Sequence, residues 1–226
     1  MIYIDKEPHP PKALSDYKVQ NPSATYRQNH NDADFPKAQI KEALRNEQKS
    51  LCAYCMTRLS NEDNKTAIEH WVAQSTQSNN GLVYADMLLV CREKWATKID
   101  GKPTHYACEA VRGNRAITVS PLEKTHMATI KYCRDSRKVS ISSDNADIET
   151  DLNHTLRLNH DELQKARFHA LATVQARLKK ESSGTASKAL ILKMMKAYES
   201  AEYKGVILWY LNKKLSPRER LPEIPT

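Results

Sequence analysis

The chain has 226 residues, a formal net charge of +8, and 40% hydrophobic against 27% charged residues. That length suits one or two folded domains, no apolar run approaches the roughly 18 residues that span a bilayer, and the N-terminal MIYIDKEPHPPK lacks the apolar stretch of a secretory signal. These features exclude a helical membrane protein and point to a cytoplasmic one with acidic partners, of which nucleic acid is the commonest.

Residues 1–33, rich in Pro, Asn, Asp and Tyr, show no sustained period and read as an extended arm or loop with one short strand at MIYI. From Phe35 to Leu51 the apolar positions Ile40, Ala43, Leu44 and Leu51 follow helical spacing. Asp34 is placed to cap that helix and Pro36 falls in its first turn. TAIEHW reads as a strand, STQSNNGL as a polar loop, YADMLLVC as a buried strand or turn, and EKWATKIDGKPTHY as a second polar loop. CEAVRGN opens a helix that closes near Gly113, and RAITVSPL is strand-like up to Pro121. TIKYC and KVSIS, joined by RDSR, predict a β-hairpin. After Ser143 the pattern turns helical: Ile148, Leu152, Thr155 and Leu156 share one face, and Asn159 or Asp161 is placed to cap the next helix. Two further helices follow at ASKALILKMMKAYES and VILWYLNKKL, and the Pro-rich tail SPRERLPEIPT is expected to fray. The segments divide as an arm (1–33), a central unit (34–143) and a C-terminal helical region (144–226) whose apolar runs suit a bundle core or a partner-docking face.

Four of the five cysteines fall in the central unit in a telling order. Cys52 and Cys55 form CxxC in LCAYCMTRL, and Cys91 and Cys108 each follow a polar loop. In a reducing compartment such a set predicts a tetrahedral zinc clamp, which takes the place of a core that a weakly apolar segment does not build. Buried free thiols are the plainer alternative, and a redox pair fits less well because Cys52 does not sit at a βαβ junction. His105, close to Cys108, is an alternative zinc ligand, while Cys133 reads as an ordinary buried thiol. His126, His154, His160 and His169 lack partner spacing and read as surface or capping residues; the basic runs RLKK and NKKLSPRER either track a nucleic-acid backbone or are solvated helix faces.

Between the cysteines lie Glu69 and His70, which a strand turns to opposite faces. LCAYCMTRL, IEHW, YADMLLVC, YACEAVRGN, ITVSPL and LRLNHDELQKAR, in that order from about Ala43 to Arg167, resemble the PtuB-like HNH nucleases of Septu-type and retron-linked anti-phage systems. The resemblance implies an α+β fold in which a zinc-stapled HNH ββα-metal core carries an N-terminal helix, a β-hairpin and a C-terminal helical region. It implies a DNA-cutting effector that works with a PtuA-like ABC or SMC-type ATPase and, in retron-linked systems, with a reverse transcriptase and its msDNA. Carried over by motif, His70 is the general base and Glu69 a ligand of catalytic Mg²⁺ or Mn²⁺. Asp86 stands where the middle Asn of the signature is usual. Glu109 stands where His is frequent and is the second Mg²⁺ ligand, with Asn114 as alternative. Arg112 contacts phosphate or steadies transition-state charge, unless it is a solvated helix charge. The departures at Asp86 and Glu109 leave open a non-catalytic zinc-stapled DNA-binding or adaptor module.

Overall fold

The computed structural model describes residues 1–72, 81–92, 97–99, 102–105, 107–182, 184, 186–221 and 224, with only the backbone described at 97–99 and 102–105. Its described residues form helices and small antiparallel strand pairs around one apolar cluster to which all three segments contribute. In chain order the helices are α1 (Lys12–Gln20), α2 (Tyr26–Asn29), α3 (Lys37–Glu47), α4 (Glu109–Arg112), α5 (Lys124–Ala128), α6 (Ala146–Thr150), α7 (Asp161–Glu181), α8 (Lys188–Ala197) and α9 (Lys204–Lys214). The strands are β1 (Thr66–His70), β2 (Met87–Cys91), β3 (Thr97–Ile99), β4 (Lys102–His105), β5 (Ile130–Asp135) and β6 (Lys138–Ser143).

Among the described residues strands pair only with their neighbours in sequence: β1 with β2, β3 with β4, β5 with β6. In the first pair Glu69 faces Leu88 and His70 faces Met87, which puts the Glu-His pair at the far end of the ladder. Lys41 on α3 fixes the near end. Its buried ammonium donates to the Thr66 carbonyl (2.9 Å), to Thr66 Oγ1 (3.2 Å) and to the Asp63 carbonyl (2.8 Å). Gln48, buried just after α3, bonds to β2 with both ends of its amide: Nε2 donates to the Leu89 carbonyl and Oε1 accepts from the Leu89 N–H, each at 2.7 Å. The β3–β4 hairpin stands where a polar loop is expected.

The first 35 residues depart most from their sequence pattern. They hold α1 and α2 rather than an extended arm, and MIYI pairs with no strand among the described residues: Met1, Ile2 and Ile4 are buried, and the Ile4 N–H donates to the Pro121 carbonyl. The apolar residues there are too sparse to give a period, yet they pack against neighbours remote in sequence. α3 starts one residue past Pro36, with no side-chain cap from Asp34. RAITVSPL is no strand either. The N–H groups of Thr118 and Val119 go to one carboxylate oxygen of Asp151, at 2.5 and 2.9 Å, so they are taken before any ladder forms.

The β5–β6 hairpin forms as its alternation predicts, with Ile130 and Tyr132 turned inward. The same alternation turns Cys133 outward, so it is exposed and not the buried thiol expected of it. α6 and the π-turn after it bury the expected face: Ile148, Leu152, Thr155 and Leu156. α7 is capped by His160, whose ring accepts from the Glu162 N–H, and not by Asn159 or Asp161. Asn159 is spent on β6, bonding both the N–H and the carbonyl of Ile141 at 2.8 Å.

α8 and α9 lie where predicted. In α9 a helical glycine is required, because a Cβ on Gly205 would collide with the Tyr132 hydroxyl. The tail does not fray over its described part: Asn212 of α9 accepts from the Leu221 N–H and donates to the carbonyls of Leu221 and Ile224, and Ile224 is buried. Among the described residues no helix is long and apolar enough to cross a membrane.

Candidate metal centre and the adjoining acid-histidine site

The turn after Cys52 is built to present sulfur. The Cys52 N–H donates to the Thr57 carbonyl (2.9 Å) and the Met56 N–H to the Cys52 carbonyl (3.1 Å), while Met56 adopts the left-handed conformation (φ +64°). That conformation costs a non-glycine residue energy, and it is held from outside: the Met56 carbonyl accepts from the Tyr203 N–H at the start of α9. Cys91 ends β2, and Cys108, also at positive φ (+59°), precedes α4 with its N–H on the Leu156 carbonyl. Three separate elements thereby aim four buried sulfurs at one point.

All four Sγ atoms lie within 4.8 Å of one another; the Cys55–Cys91 pair is 3.6 Å apart and the Cys52–Cys108 pair 4.0 Å. An ideal tetrahedron with metal–sulfur bonds of about 2.3 Å has sulfur–sulfur edges of about 3.8 Å. The Cys91 N–H donates to Cys52 Sγ at 3.4 Å and Thr57 Oγ1 lies 3.2 Å from Cys55 Sγ, both favouring a thiolate. Burial raises the Cys55 thiol, but hydrogen bonds from Cys108, Cys52, Cys91 and Thr57 outweigh it and bring Cys55 well below the ordinary range. Cys108, which donates to its neighbours, is held well above it. Among the described residues these cysteines are the one group of three or more Cys, His, Asp or Glu side chains close enough to hold a metal ion. The His105 side chain lies outside the described residues.

Beside this cluster β1 divides the Glu-His pair between two faces. Glu69 faces inward. Its Oε1 accepts from the Tyr54 hydroxyl (3.4 Å) and from Nη1 of Arg112 in a buried ion pair; its Oε2 takes no hydrogen bond among the described residues. Burial pushes the Glu69 carboxyl upward, against the pull of Arg112, and the charge of nearby Glu109 adds to the rise.

Arg112 is neither a solvated helix charge nor turned outward to a phosphate. It is 2% exposed, and its guanidinium donates to the carbonyls of His70 (2.9 Å), Trp71 (2.7 Å) and Arg115 (2.9 Å), to Tyr54 Oη (3.1 Å) and to Glu69. A five-donor planar fork suits this work: it fastens the short α4 across the end of β1.

His70 looks the other way. Its Nε2 lies 2.8 Å from the Gly81 carbonyl. A carbonyl only accepts, so Nε2 carries the proton and Nδ1 is the basic nitrogen of the neutral ring. Burial lowers the His70 pKa, partly opposed by that bond. Asp86 contributes its backbone, its carbonyl accepting from the Trp71 N–H at 2.9 Å, and burial raises its carboxyl. Of the two alternatives on the α4 side, Glu109 lies within electrostatic reach of Glu69, whereas Asn114 is exposed beyond Gly113 and makes no hydrogen bond among the described residues.

Two residues not singled out by their sequence context join the site. Arg92, half-exposed, sets its Nε 3.6 Å from Glu109 Oε2, and this is its one side-chain partner among the described residues. Tyr26, from α2, lies against the His70 ring with centroids 4.4 Å apart. The immediate succession of Arg92 to a clamp cysteine is a signal for the first; a lone tyrosine in a polar arm offers none for the second. Comparison with models of known protein families found no match, and neither did comparison with curated proteins.

Proposed function

We propose that the chain is a zinc-stapled HNH-type endonuclease that cuts DNA and serves as the effector of a cytoplasmic anti-phage complex with an ATPase partner of the PtuA-like ABC or SMC type, joined in retron-linked systems by a reverse transcriptase and its msDNA. One observation carries this reading. Glu69 and His70 stand side by side at the end of an antiparallel pair, on opposite faces, with a short helix bearing Glu109 fastened across the strand end and a four-cysteine cluster beside it. The zinc assignment rests on four sulfurs near tetrahedral spacing, a donor set that suits this ion and does not suit hard cations.

The remaining residues fit the chemistry of phosphodiester hydrolysis. Nδ1 of His70 takes a proton from the water that attacks phosphorus, and the Gly81 carbonyl keeps the ring in the tautomer this needs. Arg112 and Tyr54 hold Oε1 of Glu69, so Oε2 is the oxygen presented for a cation, with Glu109 within electrostatic reach. When bound there, Mg²⁺ or Mn²⁺ supplies neutralisation of the charge on the phosphoryl group and the leaving oxygen. Arg92, and not Arg112, is the arginine for the scissile phosphate, because its guanidinium is accessible and lies beside Glu109.

Plasmid nicking with Mg²⁺ or Mn²⁺, with and without the ATPase partner, tests the reading. His70→Ala is expected to lose on the order of 10²–10⁴-fold in rate. Arg92→Glu is expected to raise KM for DNA about tenfold or more with the zinc content unchanged. Wild type that never nicks, or nicks no faster than His70→Ala, favours instead a non-catalytic DNA-binding or adaptor module. That alternative draws on the pairing of each carboxylate with an arginine, Glu69 with Arg112 and Glu109 with Arg92.

A further inference from the structure

One motif of the sequence, LRLNHDELQKAR, takes no part in the acid-histidine site, yet both its ends reach the sulfur cluster. At one end the Leu156 carbonyl accepts from the Cys108 N–H (2.9 Å). At the other, Arg167 of α7 turns inward and is 4% exposed. Its Nε donates to the Val139 carbonyl (2.8 Å), and its Nη2 to the Leu158 carbonyl (2.8 Å) and to Asn159 Oδ1 (3.2 Å). These acceptors are all neutral, and among the described residues no carboxylate pairs with Arg167. Arg112, also buried, has Glu69. A buried cation without a counter-charge is costly, so one that persists implies an anion nearby. The Arg167 guanidinium lines a cavity of about 10 Å³ that it shares with Cys55, Tyr132 and Tyr203. Burial brings its pKa down to about 10, opposed by Tyr132, Cys55 and Tyr203, so it is charged at neutral pH. The Met1 amine on the same cavity is pushed down to about 4 by burial and by Arg167, which leaves Arg167 as the cation of its lining.

We propose that Arg167 is the counter-charge of the metal–thiolate centre: sharing a cavity with Cys55, it offsets the negative charge that the sulfurs keep after binding zinc. Metal-bound cysteines are thiolates, so four of them around one Zn²⁺ leave a net negative centre, buried with its sulfurs. The motif that carries Arg167 thereby becomes part of the metal site, holding Cys108 by its backbone and the charge of the cluster by its arginine. This inference rests on the zinc assignment and not on any catalysis. The role needs a positive charge more than a particular set of hydrogen bonds. Lysine at position 167 supplies that charge, and glutamine, which keeps two donors and no charge, does not. Loss of an outer partner of a metal site costs about 10–100-fold in metal affinity.

The experiment measures the zinc affinity of wild type, Arg167→Gln and Arg167→Lys by competition with a chromophoric chelator at neutral pH. The melting temperatures of the loaded and stripped forms are recorded for each. Both variants lose hydrogen bonds to Val139 and Leu158, so both are expected to melt earlier, and the charge is what separates them. Arg167→Gln is expected to bind zinc about 10–100-fold more weakly, with a smaller rise in melting temperature on loading. Arg167→Lys is expected to stay within about threefold of wild type. Unchanged affinity in Arg167→Gln overturns the proposal. So does an equal loss in the two variants, which would assign Arg167 to the fold alone. Should Arg167→Gln not fold, Arg167→Lys decides: a loss of about tenfold or more overturns the proposal, and affinity within about threefold of wild type upholds it. A wild-type chain that binds no zinc ends the clamp reading itself, whereas zinc binding that Arg167→Gln leaves untouched ends this inference alone.

Discussion

Arg112→Met is expected to cost the fold about 3–5 kcal/mol, read as a fall in the urea midpoint with the slope of the transition unchanged. The loss comes mainly from what the substitution leaves behind. Glu69 keeps its buried carboxylate with no counter-charge, and the carbonyls of His70, Trp71 and Arg115 lose their donor. The matching substitution Arg92→Met is expected to cost under about 1 kcal/mol, because Arg92 is half-exposed and meets Glu109 only at 3.6 Å. Equal losses in the two variants would mean that Arg112 is no clamp. The same logic forbids reading Glu69→Ala as a clean catalytic knockout. That variant strands a guanidinium only 2% exposed, so lost activity has to be separated from lost fold. Glu69→Gln, which can still accept from Arg112, is the better probe.

The largest single effect is expected from metal removal. Stripping the protein with a strong chelator, or substituting Cys55→Ser, should lower the melting temperature by at least about 10 °C, which at roughly 2–4 °C per kcal/mol is several kcal/mol. Differential scanning calorimetry on matched holo and stripped samples measures it, with metal analysis expected to give about one zinc per chain in the holo form. The reason lies in what the cluster joins: the turn after α3, the end of β2 and the start of α4, three elements remote in sequence whose sulfurs meet at one buried point. Without a cation, the sulfurs are left buried and crowded, and two of them are driven toward the thiol. Cys133→Ser provides the control, since that thiol is exposed and outside the cluster. An unchanged melting curve after complete removal of metal would refute the clamp.

The cysteine order and the Glu-His pair were legible because their chemistry is local: a two-residue spacing makes a turn, and a strand must alternate its faces. The β5–β6 hairpin and the C-terminal helices were legible for the same reason, through period. What the pattern did not reveal was set by partners far along the chain. Arg112 reads from sequence as a phosphate or transition-state contact, or else as a solvated helix charge, and only its apposition to the end of β1 buries it. RAITVSPL has a strand's composition, but Asp151, more than thirty residues on, takes its N–H groups. Tyr17, Tyr26 and Phe35 are spaced nine residues apart, which matches neither a helix nor a strand, so their convergence on His70 leaves no periodic trace.

Gln48 has a consequence for solubility. A two-stranded ladder has two open edges, and an unpaired apolar edge invites another chain to add itself as a strand. β2 is such a strand, with all five residues buried and the sequence MLLVC. Its outer edge is already answered at Leu89, where the Gln48 amide imitates the N–H and C=O of a neighbouring strand and the Ala53 N–H adds a further bond to the same carbonyl. A side chain thus completes an edge that the fold also hides, no residue of β2 being more than 3% exposed, and so leaves a second copy no template beside the four sulfurs.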